Sequence, residues 1–186
     1  MKIHSPASKT AMLAIAVALL ASGAALAQSH GDQFTGVIAN LEGGGTAPFV
    51  IHIDHYSSDA EVAKLKGILA GKGPDALREA LWDLEAGYIR VNGGLGYPIA
   101  VARSKPDGKG GRVVRLMLDR PISFRELTHD TLSTDYPFTH VELDLDASGQ
   151  GEGKMIAAAK VSLEGNKVEI ENLGSQPLRL LQVKSR

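Results

Sequence analysis

Phe138-Thr-His-Val-Glu-Leu-Asp-Leu-Asp-Ala-Ser-Gly-Gln150, continued by Gly-Glu-Gly-Lys-Met-Ile-Ala-Ala-Ala-Lys-Val-Ser-Leu163, decides the fold class. In the first half apolar and polar residues alternate. Val141, Leu143 and Leu145 therefore fall on one face of an extended chain, and His140, Glu142, Asp144 and Asp146 on the other. Ser148-Gly149 supplies a turn, and a second extended run follows over 154–163. Two such runs joined by a short turn make an antiparallel hairpin with one face in a core and one outside.

Working outward, the same signature recurs. Runs over 33–40, 47–56, 88–91, 97–103, 112–118, 167–171 and 178–183 read as strands, separated by glycine-, asparagine- and proline-rich turns at 43–45, 92–94, 106–108, 165–166 and 174. In the 47–56 run Phe49, Ile51 and Ile53 alternate with Val50, His52 and Asp54. One interval breaks the pattern. Ser58 and Glu61 form a capping box, and Val62, Leu65, Ile68 and Leu69 follow at helical spacing until Gly71 and Gly73. Pro74 then suits the first turn of a second helix, whose stripe is Leu77, Ala80, Leu81 and Leu84. The expected fold is α+β: a largely antiparallel sheet, either curled or closed into a small barrel, with an inserted pair of short helices.

The N-terminus reads differently. Lys2 and Lys9 precede the apolar run AMLAIAVALL (11–20), and Ala25-Leu26-Ala27 gives a small-x-small cleavage site. Residues 1–27 are expected to be a signal peptide and 28–186 a single exported domain, periplasmic or secreted. The apolar run is shorter than the ~20 residues that span a bilayer, so no stable membrane insertion is expected after cleavage. Loss of Lys2 and Lys9 lowers the basic count from 20 to 18 against 21 acids, leaving no excess positive charge to neutralise phosphates. Nucleic acid is thus not an expected partner. The chain has no cysteine, which excludes disulfides, thiol catalysis and cysteine metal sites.

Three constellations offer chemistry. His52, Asp54, His140 and Glu142 combine imidazoles that titrate near neutrality with carboxylates, the raw material of an acid–base or hydrolase-like enzyme. Asp144, Asp146, Ser148 and Glu152, with Gly149 at the turn, match the first half of a calcium loop. Met155 stands where the closing bidentate glutamate belongs, and strands flank the loop in place of helices. The long segment 120–139 carries Arg120, Arg125, His129, Asp130, Asp135 and Tyr136, with a capped turn expected over 124–129 and Phe124 and Phe138 as packing anchors. Neither Gly-x-Ser-x-Gly, nor His-Glu-x-x-His, nor a phosphate-cradling glycine loop with its lysine occurs.

Asp119-Arg-Pro-Ile-Ser-Phe124, Asp135-Tyr-Pro-Phe138, Glu142-Leu-Asp-Leu-Asp146 and Gly151-Glu-Gly153 through Ala157-Ala-Ala-Lys160 together resemble a group of secreted bacterial proteins of about this size. Ser57-Ser58-Asp59 and Gly96-Tyr-Pro extend the resemblance over most of the exported chain. It implies one coherent domain and carries over no site residue.

The leading expectation is a non-enzymatic binding or accessory domain of the bacterial envelope, with a protein or small molecule as partner. No cofactor is required by that reading. The alternatives are the histidine–carboxylate enzyme and a calcium-dependent binding module. An exposed apolar patch around Tyr136 and Phe138 is the expected mark of a binding surface.

Overall fold

In a computed structural model the chain is described over residues 31–39, 45–122, 135–165, 167–174 and 176–186. The leader segment, the turn expected over 124–129 and the side chains of Arg125, His129 and Asp130 lie outside the described residues.

Ten strands and one helical element follow one another. They are β1 (Asp32–Ala39), β2 (Ala47–Ile53), α1 (Asp59–Trp82), β3 (Gly87–Val91), β4 (Tyr97–Ile99), β5 (Val101–Pro106), β6 (Arg112–Leu118), β7 (Phe138–Leu145), β8 (Gln150–Glu164), β9 (Lys167–Asn172) and β10 (Leu178–Ser185). All pair antiparallel in the order β4-β3-β2-β1-β10-β8-β7-β6-β5, with β9 on β8. The two ends of that order, β4 and β5, are consecutive in the chain and separated by Ala100 alone. The sheet therefore returns on itself as a nearly closed barrel.

Closure explains the departure from the single strand expected over 97–103. Tyr97 pairs with Ile89 and Ile99 with Gly87, while Val101 already pairs with Met117 of β6. Ala100 donates its N–H to the Met117 carbonyl at 2.9 Å, marking the corner where the stave changes partner. In the same way β9 and β10 run along successive lengths of β8. Counting each of these pairs as one stave leaves eight, the number at which side chains just fill a barrel's interior.

They do fill it. Phe34, Phe49, Ile51, Ile89, Leu116, Val141 and Leu143 are among the buried residues of that core. The alternation read for 138–146 and 47–56 thus sets inside against outside, with His140 and His52 on the outer face. One end of the interior carries a polar closure. Asp32 Oδ2 accepts from the Tyr56 hydroxyl at 2.5 Å and from Arg112 Nη1 at 2.7 Å, and Arg112 lies over the Phe34 ring. Burial works to raise the Asp32 carboxyl, but the hydrogen bonds from Arg112 and Tyr56 win and hold it below the usual range.

A second core lies outside the barrel, beneath α1. Leu69, Leu77 and Leu81 pack on Ala100, Phe138, Ile156, Ala159 and Val161. Strict alternation could not put 156, 159 and 161 on one side. A register shift opposite Phe138/His140 flips the parity of β8, and its far half turns its apolar residues toward the helix. The helix is anchored at its start. The Ser58–Glu61 capping box forms, Ser57 accepts from the Ala102 N–H through Oγ, and Arg103 pairs with Asp59. At the boundary expected between two helices, α1 is interrupted: Gly73 leaves helical geometry (φ 84°) just before Pro74. Glycine relieves the cost of that conformation, and proline loses no bond there.

Candidate functional site

With the barrel interior packed, a cavity lies on the outside, between α1 and the outer faces of β5 to β9. It measures about 670 Å3, within the range that holds a small organic ligand. Val62, Leu65, Leu69, Leu77 and Leu81 form its roof, and Val161, Val168 and Ile170 of the β8–β9 hairpin form a side wall.

The floor is built by strand register. Val101 of β5, Met117 of β6, His140 of β7 and Ile156 of β8 are successive cross-strand partners, giving an apolar row interrupted by one imidazole. The next row that faces outward runs Arg103, Arg115, Glu142, Lys154 and, on β10, Arg179. Glu142 holds two of these cations, Arg115 Nε at 2.6 Å and Lys154 Nζ at 3.1 Å. Arg179 reaches Glu152 at 3.3 Å.

His140 is 8% exposed. Burial pushes its imidazole down to about 4; nearby Arg115 and Lys154 push the same way and Glu142 opposes them. At neutral pH it is therefore uncharged, with one nitrogen a donor and the other an acceptor. For Glu142, burial works upward, but hydrogen bonds from Arg115 and Lys154 keep the carboxyl below its ordinary range. The cleft thus joins a large apolar volume to one neutral hydrogen-bonding group and a cation-rich margin. That arrangement can desolvate an apolar body while leaving a polar end at the rim.

The sequence-derived candidates divide. His140 and Glu142 belong to the cleft. His52 and Asp54 pair with each other at 3.1 Å on the outer face of β2, where the His52 ring stacks on Tyr88. Strands β1, β10 and β8 separate β2 from β7, so the four residues are not brought into one site.

The calcium-loop residues form a hairpin turn. Asp146 Oδ1 accepts from the Ser148 N–H at 2.8 Å, the Ser148 hydroxyl at 2.6 Å and the Gln150 N–H at 3.0 Å. Asp144 and Glu152 face each other across the strands, and Glu152 turns to Arg179. Among the described residues no three histidine, aspartate or glutamate side chains are grouped to hold a metal ion. The expected patch at Tyr136 and Phe138 is not formed. Phe138 is fully buried in the second core, and the Tyr136 hydroxyl donates to Glu171 at 2.6 Å.

Arg115, Lys154 and Arg103 were not singled out from sequence. Period-two parity places each on an outer face, but only the register aligns them across four strands. No helix among the described residues is long and apolar enough to cross a membrane. Compared with known proteins, the chain matches no family model, no curated protein sequence and no solved structure. Its site is read from its own geometry.

Proposed function

We propose that this chain is an exported, non-enzymatic binding domain of the bacterial envelope whose ligand is a small, largely apolar molecule held between α1 and the barrel's outer face. The observation that carries the reading is the cleft itself: about 670 Å3, roofed by helix leucines and floored by Met117 and Ile156. Unfilled, such a cleft leaves its apolar lining in contact with water, an unfavourable exposure that an apolar ligand removes. Ligand binding gives that exposure a purpose. The leader at 1–27 supplies the route out of the cytoplasm, and β1 begins beyond it, at Asp32.

Titration with an uncharged solvatochromic dye such as Nile red, on protein recovered after export, tests the reading. Bright, saturable emission is expected, and it should be lost in Leu65→Trp, which fills the cleft from the half-buried part of the roof. Emission that is absent, or that survives the filling unchanged, would refute it.

A further inference from the structure

We infer that the ligand of this cleft is an amphiphile with a single carboxylate head, its chain lying over Met117 and Ile156 and its head set against Arg115 and Lys154; the inference rests on the cleft reading above.

Two adjacent rows of the barrel wall carry the argument. The row Val101–Met117–His140–Ile156 lies under the helix and is apolar but for one neutral imidazole. The row beside it places Arg103 directly opposite Arg115, a like-charge pair in which Asp59 answers Arg103 while Arg115 turns to Glu142. Of the cations lining the cleft, Arg103 pairs with Asp59 and Lys167 with Glu169, whereas Arg115 and Lys154 both turn to Glu142, the acidic residue of the lining. Two cations, Arg115 and Lys154, share that one carboxylate. Arg115 is 49% and Lys154 55% exposed at the side chain, so each keeps donors open to the rim. Arginine presents five donors in a fixed fork and lysine three, more than one glutamate can take up. A second carboxylate fits this unbalanced corner, and His140, nine-tenths buried beside it, adds a neutral hydrogen-bonding group. A cationic head would meet like charge there, and an uncharged one would form no ion pair.

The experiment is calorimetric titration of the protein recovered after export with decanoate, decan-1-ol and decyltrimethylammonium, each below its aggregation threshold. Decanoate is expected to bind at least about tenfold more tightly than decan-1-ol, with the cation weakest, and the margin should shrink at ~1 M salt. Arg115→Gln with Lys154→Gln should abolish the margin by weakening decanoate at least about tenfold, with decan-1-ol binding still measurable as the report of an intact cleft. Glu142→Gln should tighten decanoate several-fold by removing the competing carboxylate, an effect no structural role for Glu142 would produce. Equal affinity for decanoate and decan-1-ol, or a margin that survives the double variant, overturns the headgroup inference and leaves the cleft reading standing. Binding of none of the three overturns both.

Discussion

Mild acid should destabilise this protein through His140. In an unfolded chain imidazole takes up its proton near pH 6.5, whereas in the fold burial delays protonation to about 4. Between those limits the unfolded state binds a proton that the folded state refuses, and stability falls as pH falls. Above pH 6.5 both states are neutral and the group contributes nothing. Below pH 4 both are charged and the loss is complete. At 1.36 kcal/mol per unit, the loss is about 2 kcal/mol between pH 6.5 and 5 and about 3 kcal/mol over the whole window. For a domain of this size, about 2 kcal/mol lowers Tm by roughly 4–8 °C.

The charged groups around His140 are Glu142 on its own strand, Arg115 on β6 and Lys154 on β8, with Lys66 of α1 and Lys167 of β9 also lining the cleft. The carboxylates held low in the fold, Asp32, Glu142 and Asp146, lose their contributions as pH falls below their ordinary values of 3.8 and 4.5, beneath the pH 7 to 5 range of the assay. Urea unfolding at half-unit steps from pH 7 to 5 should show the decline in the parent protein and a slope flatter by about 2 kcal/mol in His140→Leu. Identical slopes in the two proteins would refute the placement of a neutral imidazole under α1.

Three further outcomes follow from the packing. Leu81→Ala removes a 1% exposed side chain from the second core and should cost about 2–5 kcal/mol in denaturant unfolding, with a strand-type circular dichroism spectrum retained. Gly151→Ala should destabilise by at least about 3 kcal/mol or prevent folding, because a Cβ there would overlap the Asp144 carbonyl; expression and thermal melting read this directly. Asp146→Ala removes the acceptor of three hydrogen bonds in the β7–β8 turn and should lower Tm by several degrees, while added calcium or EDTA leaves the parent's Tm in place.

Much of the barrel wall is legible in the sequence because its strands have one face in a dry core. Val141, Leu143 and Leu145 alternate with His140, Glu142 and Asp144, and the fold keeps that division. Reading fails where a local pattern serves a non-local purpose. Ala100 looks like the middle of a strand, yet it is the corner at which one stave leaves β3 and joins β6. Gly151 and Gly153 look like turn residues, yet β8 begins at Gln150, and Gly151 is glycine because a neighbouring backbone leaves no room for a side chain. The Gly73–Pro74 pair, by contrast, is legible: the boundary read there is where α1 leaves helical geometry.

The site was half visible. His140 and Glu142 stand out because a histidine and a carboxylate share one face of a strand. Arg103, Arg115 and Lys154 join them only through register between segments far apart in the chain, which periodicity within one strand does not encode. The Asp144–Glu152 segment was read as metal-like because alternate oxygens also make good turn acceptors. In the structure Asp146 spends one oxygen on the turn.

The cleft itself is tested most directly through the methionine methyl groups. Of the chain's four methionines, two lie in the leader segment, Met117 floors the cleft and Met155 is sealed inside the barrel. With methyl-13C methionine in the protein recovered after export, saturating decan-1-ol should shift the Met117 signal and leave Met155 in place. A shift at Met155 alone, or at neither methyl, would contradict a ligand site between the helix and the barrel's outer face.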